Sequence, residues 1–220
     1  MPTRAPETVG RGARALYAVT LDLTGEGVLV VGAGAVALRK LRGLPRGVGP
    51  VRVVAPEAAP GVRAWIRGRR AEFLERPFRP SDVAGARLVF CCASDPAVNA
   101  RAAKAARRRG AWVCDASETG GGDFAVPATL RAGGLHLTLS TEGASPAAAA
   151  ALKKLFAARL EASDLQWLLA ELGRLRPALK ASPARKAALL ERLEHAHAFE
   201  AALKPRTPAR RERLRRLLRP

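Results

Sequence analysis

Short unbroken apolar runs punctuate the first half of the chain, and a helical rhythm takes over in the second. The first run, residues 28–31, stops at glycines and passes directly into residues 35–40, whose pattern is helical. A second run, residues 51–55, follows a glycine-bearing turn at residues 43–49. Two apolar strands flanking a helix predict a βαβ unit with parallel strands. A third run, residues 88–93, leads into Ser94-Asp95-Pro96. Ser94 or Asp95 can cap a helix that takes Pro96 in its first turn, and Gly110 sits just past its end. Residues 111–115 read as another short strand. Strands alternating with helices predict a doubly wound α/β sheet.

The pattern changes after Asp115. Residues 117–123 form a loop with three consecutive glycines, and residues 124–130 and 135–140 are strand-like, joined by a turn at residues 131–134. Leu135, Leu137 and Leu139 alternate with His136, Thr138 and Ser140, the period of a half-buried strand. Ser145 then caps a long Ala/Leu-rich helix with Pro146 in its first turn, ending near Ala162. Residues 164–220 are helical in composition, with Pro177, Pro183, Pro205 and Pro208 as breaks.

The candidate chemistry begins where the first strand turns. Gly32-Ala33-Gly34-Ala35-Val36-Ala37 has the G-x-G-x-x-A form of a nucleotide fingerprint. Gly32 permits a tight turn, Gly34 lets a pyrophosphate approach the backbone, and Ala37 lets the helix pack close to the sheet. The helix start offers unpaired N–H groups and a positive dipole end to phosphates. A strand before the motif and a helix after it supply the required context. The expectation is a Rossmann-type NAD(P)-binding domain over residues 1–123, a small α+β segment over 124–162, and a helical C-terminal region over 163–220. The second strand runs into Pro56 and Glu57. Glu57 either reaches a ribose hydroxyl, favouring NAD, or is a solvated loop residue. Ala93, Ser94 and Asp95, at the carboxyl end of a later strand, should border the cofactor.

Charge adds a substrate class. The chain has 38 basic and 19 acidic residues, a net charge of +19. Such a field concentrates anions of any kind. Only residues 206–219 form a charge block, read as a solvated or frayed basic helix, with nucleic-acid binding as the competing use. Three cysteines, Cys91, Cys92 and Cys114, are too few for a disulfide framework and read as buried thiols. No leader-like segment opens the chain, and no apolar run approaches the length of a spanning helix. A soluble, cytoplasmic protein without a membrane role is expected. His195 and His197, two apart on one expected helix, face different ways, and His136 stands alone; no metal site is expected. Trp112 and Trp167 read as core or dimer packing.

With these segments in order, the chain resembles the precorrin-2 dehydrogenase/sirohydrochlorin ferrochelatase family, also found as the N-terminal module of siroheme synthase. The resemblance rests on five ordered blocks: residues 16–23, the glycine turn over 30–40, residues 88–95 with Asn99, Phe124-Ala125-Val126-Pro127-Ala128, and residues 139–146. It implies NAD-dependent oxidation of precorrin-2 to sirohydrochlorin, in some members insertion of ferrous iron to give siroheme, and a homodimer joined through the segment after the nucleotide domain. A macrocycle bearing many carboxylates suits a basic cleft.

One position departs from the family. Its aspartate, set a fixed distance before the Phe-x-x-Pro block, is replaced by Ser117 in a gapless count. Asp115 and Glu118 flank that position, and either can take the proton-handling role if the glycine loop absorbs a small shift. A serine without an adjacent base is a poor general base. Hydride transfer belongs to the cofactor and needs mainly positioning, so it should survive the change better than metal insertion. In the same match Thr141 falls where relatives carry a pocket-lining serine. Thr141 as a strand end and Ser145 as a helix cap explain both residues structurally, and contact with the substrate is their functional reading. A non-catalytic tetrapyrrole- or dinucleotide-binding protein of the same fold is the alternative.

Overall fold

The computed structural model describes residues 16–116 and 122–218. The chain divides into two compact units, Met1–Val126 and Pro127–Pro220.

The first unit is built on a five-stranded parallel sheet. Its strands are β1 (Gly27–Val31), β2 (Val51–Ala55), β3 (Glu72–Glu75), β4 (Ala86–Cys91) and β5 (Trp112–Asp115), and its helices are α1 (Ala35–Gly43), α2 (Pro60–Arg69) and α3 (Pro96–Arg108). The spatial order β3-β2-β1-β4-β5 reverses direction between β1 and β4. All five residues of β1 are buried, as a central parallel strand covered on both faces requires. One core lies under α1 and α2, where Ala37, Leu41, Val62 and Ile66 meet Val28, Val30, Val53 and Phe90. The other lies under α3, where Ala102, Ala103 and Ala106 meet Leu29, Val31, Val89 and Val113. Small alanines bring α3 close to the sheet, and at about 25 cal/mol per Å² such burial is the main stabilising term.

The expected βαβ unit and capped third helix are present. Asp95 accepts a hydrogen bond from Ala97 N at 2.8 Å, with Pro96 behind it. The apolar pattern missed α2 and β3. Helix α2 buries only Val62 and Ile66, one turn apart, among glycine and arginines, and β3 is a four-residue edge strand. Cys92 lies one residue beyond β4 and is half-buried rather than fully buried, while Cys91 and Cys114 are buried.

The second unit joins an antiparallel hairpin, β6 (Ala128–Ala132) and β7 (Leu135–Leu139), to helices α4 (Pro146–Glu161), α5 (Leu165–Ala181), α6 (Pro183–His195), α7 (Ala198–Leu203) and α8 (Pro208–Leu218). Residues 124–127, expected to be strand, lie outside it: the backbone N–H groups of Asp123 and Phe124 pair instead with Val113 O. Pro177 does not break a helix but sits inside α5, because Leu172, Leu175 and Leu179 pack on one core on either side of it. His195 and His197 do not share a helix, since His195 ends α6 and His197, at φ 49°, precedes α7.

The basic tail is solvated on one face, with Arg213, Arg215 and Arg216 exposed, but it is packed on the other rather than frayed. Leu214 of α8 is 1% exposed, and Arg211 donates from Nε and Nη2 to Asp164 Oδ1 at 2.8 and 2.5 Å. Arg206 donates to the carbonyls of Ser163 and Glu161 at 2.8 and 2.6 Å. Trp167 packs against the core of this unit beneath Arg211 and Arg215, while Trp112, 39% exposed, stacks under Arg87.

Candidate functional site: a dinucleotide cradle at the sheet reversal

The glycine turn stands at the carboxyl end of β1, where the strand order reverses and ligands of such sheets bind. Gly32 adopts φ +99°, and a Cβ there would lie 2.5 Å from the Cys92 carbonyl and 2.6 Å from Ala93 N. Its N–H donates to Val54 O at 2.9 Å, and Cys92 N donates to Val31 O at 2.7 Å. The turn is thereby wedged between the ends of β2 and β4. Only glycine fits.

Gly34 differs in kind. It is the residue before α1, in an extended conformation, and a Cβ built on it meets no atom within 4 Å. Among the described residues no side chain caps α1, and its first turn carries no acid. Gly34, Ala35 and Val36 are exposed while Ala37 is 0% exposed. N–H groups without a capping side chain, a positive helix end and open space in front of them could seat a diphosphate. The residues present fit a nicotinamide dinucleotide.

Two loops flank the seat. After β2, Pro56 and Glu57 are exposed, and Ala59 N donates to Ala33 O at 3.0 Å, tying that loop to the turn. Arg63 pins the same loop through Nε to Ala58 O at 3.2 Å. Its guanidinium pKa is raised by its hydrogen bond and ion pair with Glu75, and the charge of Glu57 adds in the same sense. After β4, Ala93 leads to exposed Ser94 and Asp95. Asn99, 0% exposed, accepts from Ala93 N and donates to Ala93 O, both at 2.9 Å. Asn99 thus fixes the loop, a positioning role that its place in a resemblance block signalled only indirectly.

Asp115 ends β5, opposite Cys91 in register, on the same edge of the sheet. Burial, with the charge of Asp115 next in weight, pushes the Cys91 thiol up to about 12. Burial does the same for Cys92, also to about 12. Ser117 and Glu118 lie outside the described residues. Asp123 is committed elsewhere: Oδ2 accepts from Val113 N at 3.0 Å and Oδ1 from Arg107 Nε at 3.1 Å.

Thr141 and Ser145 belong to the second unit. Thr141 Oγ1 accepts from Ser145 N at 3.0 Å, and Ser145 Oγ accepts from Ala148 N at 3.2 Å, capping α4. Thr141 lies two residues past β7, and Glu142 and Gly143 turn the chain at positive φ. Among the described residues, no three His, Cys, Asp or Glu side chains are grouped to hold a metal ion.

A family model described as NAD(P)-binding matches residues 19–128, half of the chain and the whole of this cradle. The chain belongs to that family. The resemblance read from five sequence blocks is supported at the same time. A precorrin-2 dehydrogenase from Priestia megaterium is 29% identical over 152 residues, covering 69% of this chain and 75% of the relative. A siroheme synthase from Pseudomonas entomophila is 34% identical over 153 residues, covering 70% of this chain, and this chain spans 31% of that longer enzyme. Among solved structures, SirC, a precorrin-2 dehydrogenase, superposes with a TM-score of 0.72, covering 92% of this chain and 98% of its own at 23% identity. At that identity the superposition establishes the fold: an NAD(P)-binding α/β unit followed by the hairpin and helices.

Proposed function

We propose that this NAD(P)-binding chain catalyses the NAD-dependent oxidation of precorrin-2 to sirohydrochlorin, in the route to siroheme. The observation that carries the reading is the uncapped, acid-free start of α1 behind a sterically obligatory Gly32, in a chain related to precorrin-2 dehydrogenases.

Bound NAD⁺ supplies the hydride acceptor. The N–H groups of Ala35, Val36 and Ala37, with Gly34, would hold its diphosphate. Pro56 and Glu57 would border its ribose, and Ala93, Ser94 and Asp95 would border the cofactor on the other side of the turn. Net removal of a hydride and a proton leaves one proton for the chain to accept. Asp115 takes it, being the described carboxylate at the carboxyl edge of β5, with Ser117 and Glu118 as the other candidate positions. Thr141 and Ser145 contact the macrocycle. The net charge of +19 raises the local concentration of its carboxylates.

We further propose a homodimer through residues 124–162, supported by Leu152, Leu155 and Phe156, which α4 leaves 41, 64 and 38% exposed. No described helix is long and apolar enough to cross a membrane. The three free thiols suit the reducing cytoplasm, where we place the reaction. Ferrous iron is a second substrate in this reading. Its insertion must strip pyrrole protons, so it should run slower than the oxidation.

The test is anaerobic incubation of purified protein with precorrin-2 and NAD⁺, followed by absorbance. The expected result is conversion to sirohydrochlorin, reduced about 100-fold or more in Asp115→Asn if Asp115 is the base. Tight sirohydrochlorin binding without turnover refutes the enzymatic reading and leaves a binding protein of the same fold.

A further inference from the structure

The opposite edge of the sheet from the glycine turn carries a second feature, which the oxidation does not use. A cavity of about 520 Å³ opens where β2 and β3 begin and α2 ends, floored by Val48, Pro50, Val51 and Trp65. Arg46, Arg69 and Arg70 line it, and among the described residues no carboxylate does. Arg69 is anchored, its guanidinium 5.5 Å from the Trp65 ring centre and donating to the Leu44 and Pro45 carbonyls at 3.2 and 3.3 Å. The exposed guanidiniums of Arg46 and Arg70 have no ion pair among the described residues.

Two local preferences are overridden at this rim. Arg70 ends α2 at φ 52°, ψ 40°, the left-handed conformation that favours glycine. Gly68, in the last turn of α2, leaves bare backbone where a Cβ would meet nothing within 4 Å. Glycine weakens a helix, and here no packing contact requires it. An arginine where glycine belongs, and a glycine where a side chain would fit, keep one cavity both charged and open.

We infer that this cavity binds a multiply charged oxyanion, a ligand carrying two or more phosphate or carboxylate groups. Guanidinium groups match both chemistries in bidentate geometry. The carbonyl end of α2 opposes an anion with about half a charge, and three guanidiniums more than offset it. Anchored Arg69 forms a fixed wall, and Arg46 and Arg70 close on the ligand. Because the site lies at the amino ends of the strands, the oxyanion and a dinucleotide bind together.

The experiment is calorimetric titration of the full chain, with NAD⁺ present, at about 0.15 M salt, where the Debye length is about 8 Å. One arm uses tripolyphosphate and the other citrate, so that heat in one arm or both names the source of the charge. Wild type should take up one equivalent. Arg46→Ala and Arg70→Gly should each weaken binding about tenfold or more, and Gly68→Leu should abolish it by filling the space. Arg70→Gly should also melt higher than wild type, which separates loss of a ligand group from unfolding. No heat in either arm overturns the inference. So does heat that persists undiminished in Gly68→Leu and Arg70→Gly.

Discussion

Replacing Arg211 with methionine tests how the basic tail is held. Asp164 is 0% exposed, and Nε and Nη2 of Arg211 converge on its Oδ1, while Oδ2 has no hydrogen-bond partner among the described residues. Arg211→Met keeps most of the side-chain volume and leaves a buried carboxylate without its cation. Breaking a buried pair from one side costs about 3–5 kcal/mol. The Arg211 side chain is 35% exposed, so water can partly replace it, and about 2–4 kcal/mol is the working value. For a domain of this size that is a fall of roughly 10 °C or more in Tm. Urea unfolding, followed through Trp167 beneath Arg211 and Arg215, reads the change. Arg215→Ala is the control, because Arg215 reaches Glu212 only at 3.8 Å with its side chain 57% exposed. It should cost no more than about 0.5 kcal/mol. The double change Asp164→Leu with Arg211→Met should recover most of the loss, since no charge is left stranded. Equal effects of Arg211→Met and Arg215→Ala would refute the reasoning.

Further outcomes follow from the first unit. Gly32→Ala should cost about 3 kcal/mol or more in chemical unfolding, because its Cβ meets the Cys92–Ala93 backbone and its φ is +99°; a stable variant would contradict the wedge. Asp82 is 5% exposed, and although burial pushes its pKa up, the Arg76 guanidinium and the Arg79 N–H hold it below the usual 3.8. Its folded pKa being depressed, the stabilisation is present above about pH 4 and is lost as pH falls further. Asp82→Asn should therefore flatten the acid limb of the stability profile, and an unchanged limb counts against the pairing. With burial pushing Cys91 and Cys92 both up to about 12, neither thiol should react with a disulfide reagent at pH 8 until the protein unfolds. Fast labelling of the native state would contradict that.

Much of the first unit was legible because its signals are local. The turn at Gly32, the Asp95-Pro96 cap, the Leu135–Leu139 alternation and the Ser145-Pro146 start each fit inside a few residues, and each matches an observed element. Helix α2 was hidden because its buried stripe is two residues wide among arginines, so a helical period hardly registers. The packed face of the tail was hidden because its decisive partner, Asp164, lies 47 residues earlier, beyond the reach of any local pattern. Of the candidate site, the glycine turn and the small residues that open α1 were readable. Asn99's grip on the Ala93 loop was not, since an asparagine in a helix gives no sign of the backbone it holds.

The central claim is that a diphosphate rests on the amides at the start of α1. Titration of the intact chain with NAD⁺ tests it most directly, paired with Gly34→Asp, whose carboxylate would enter the empty space without meeting an atom at Cβ. Wild type should show saturable one-site heat and, at a hundred times Kd, a stabilisation of about 2.7 kcal/mol. The variant should keep its fold and lose about 100-fold in affinity, as like charges meet at the phosphate. Absence of heat and of thermal protection with both NAD⁺ and NADP⁺ would contradict the account.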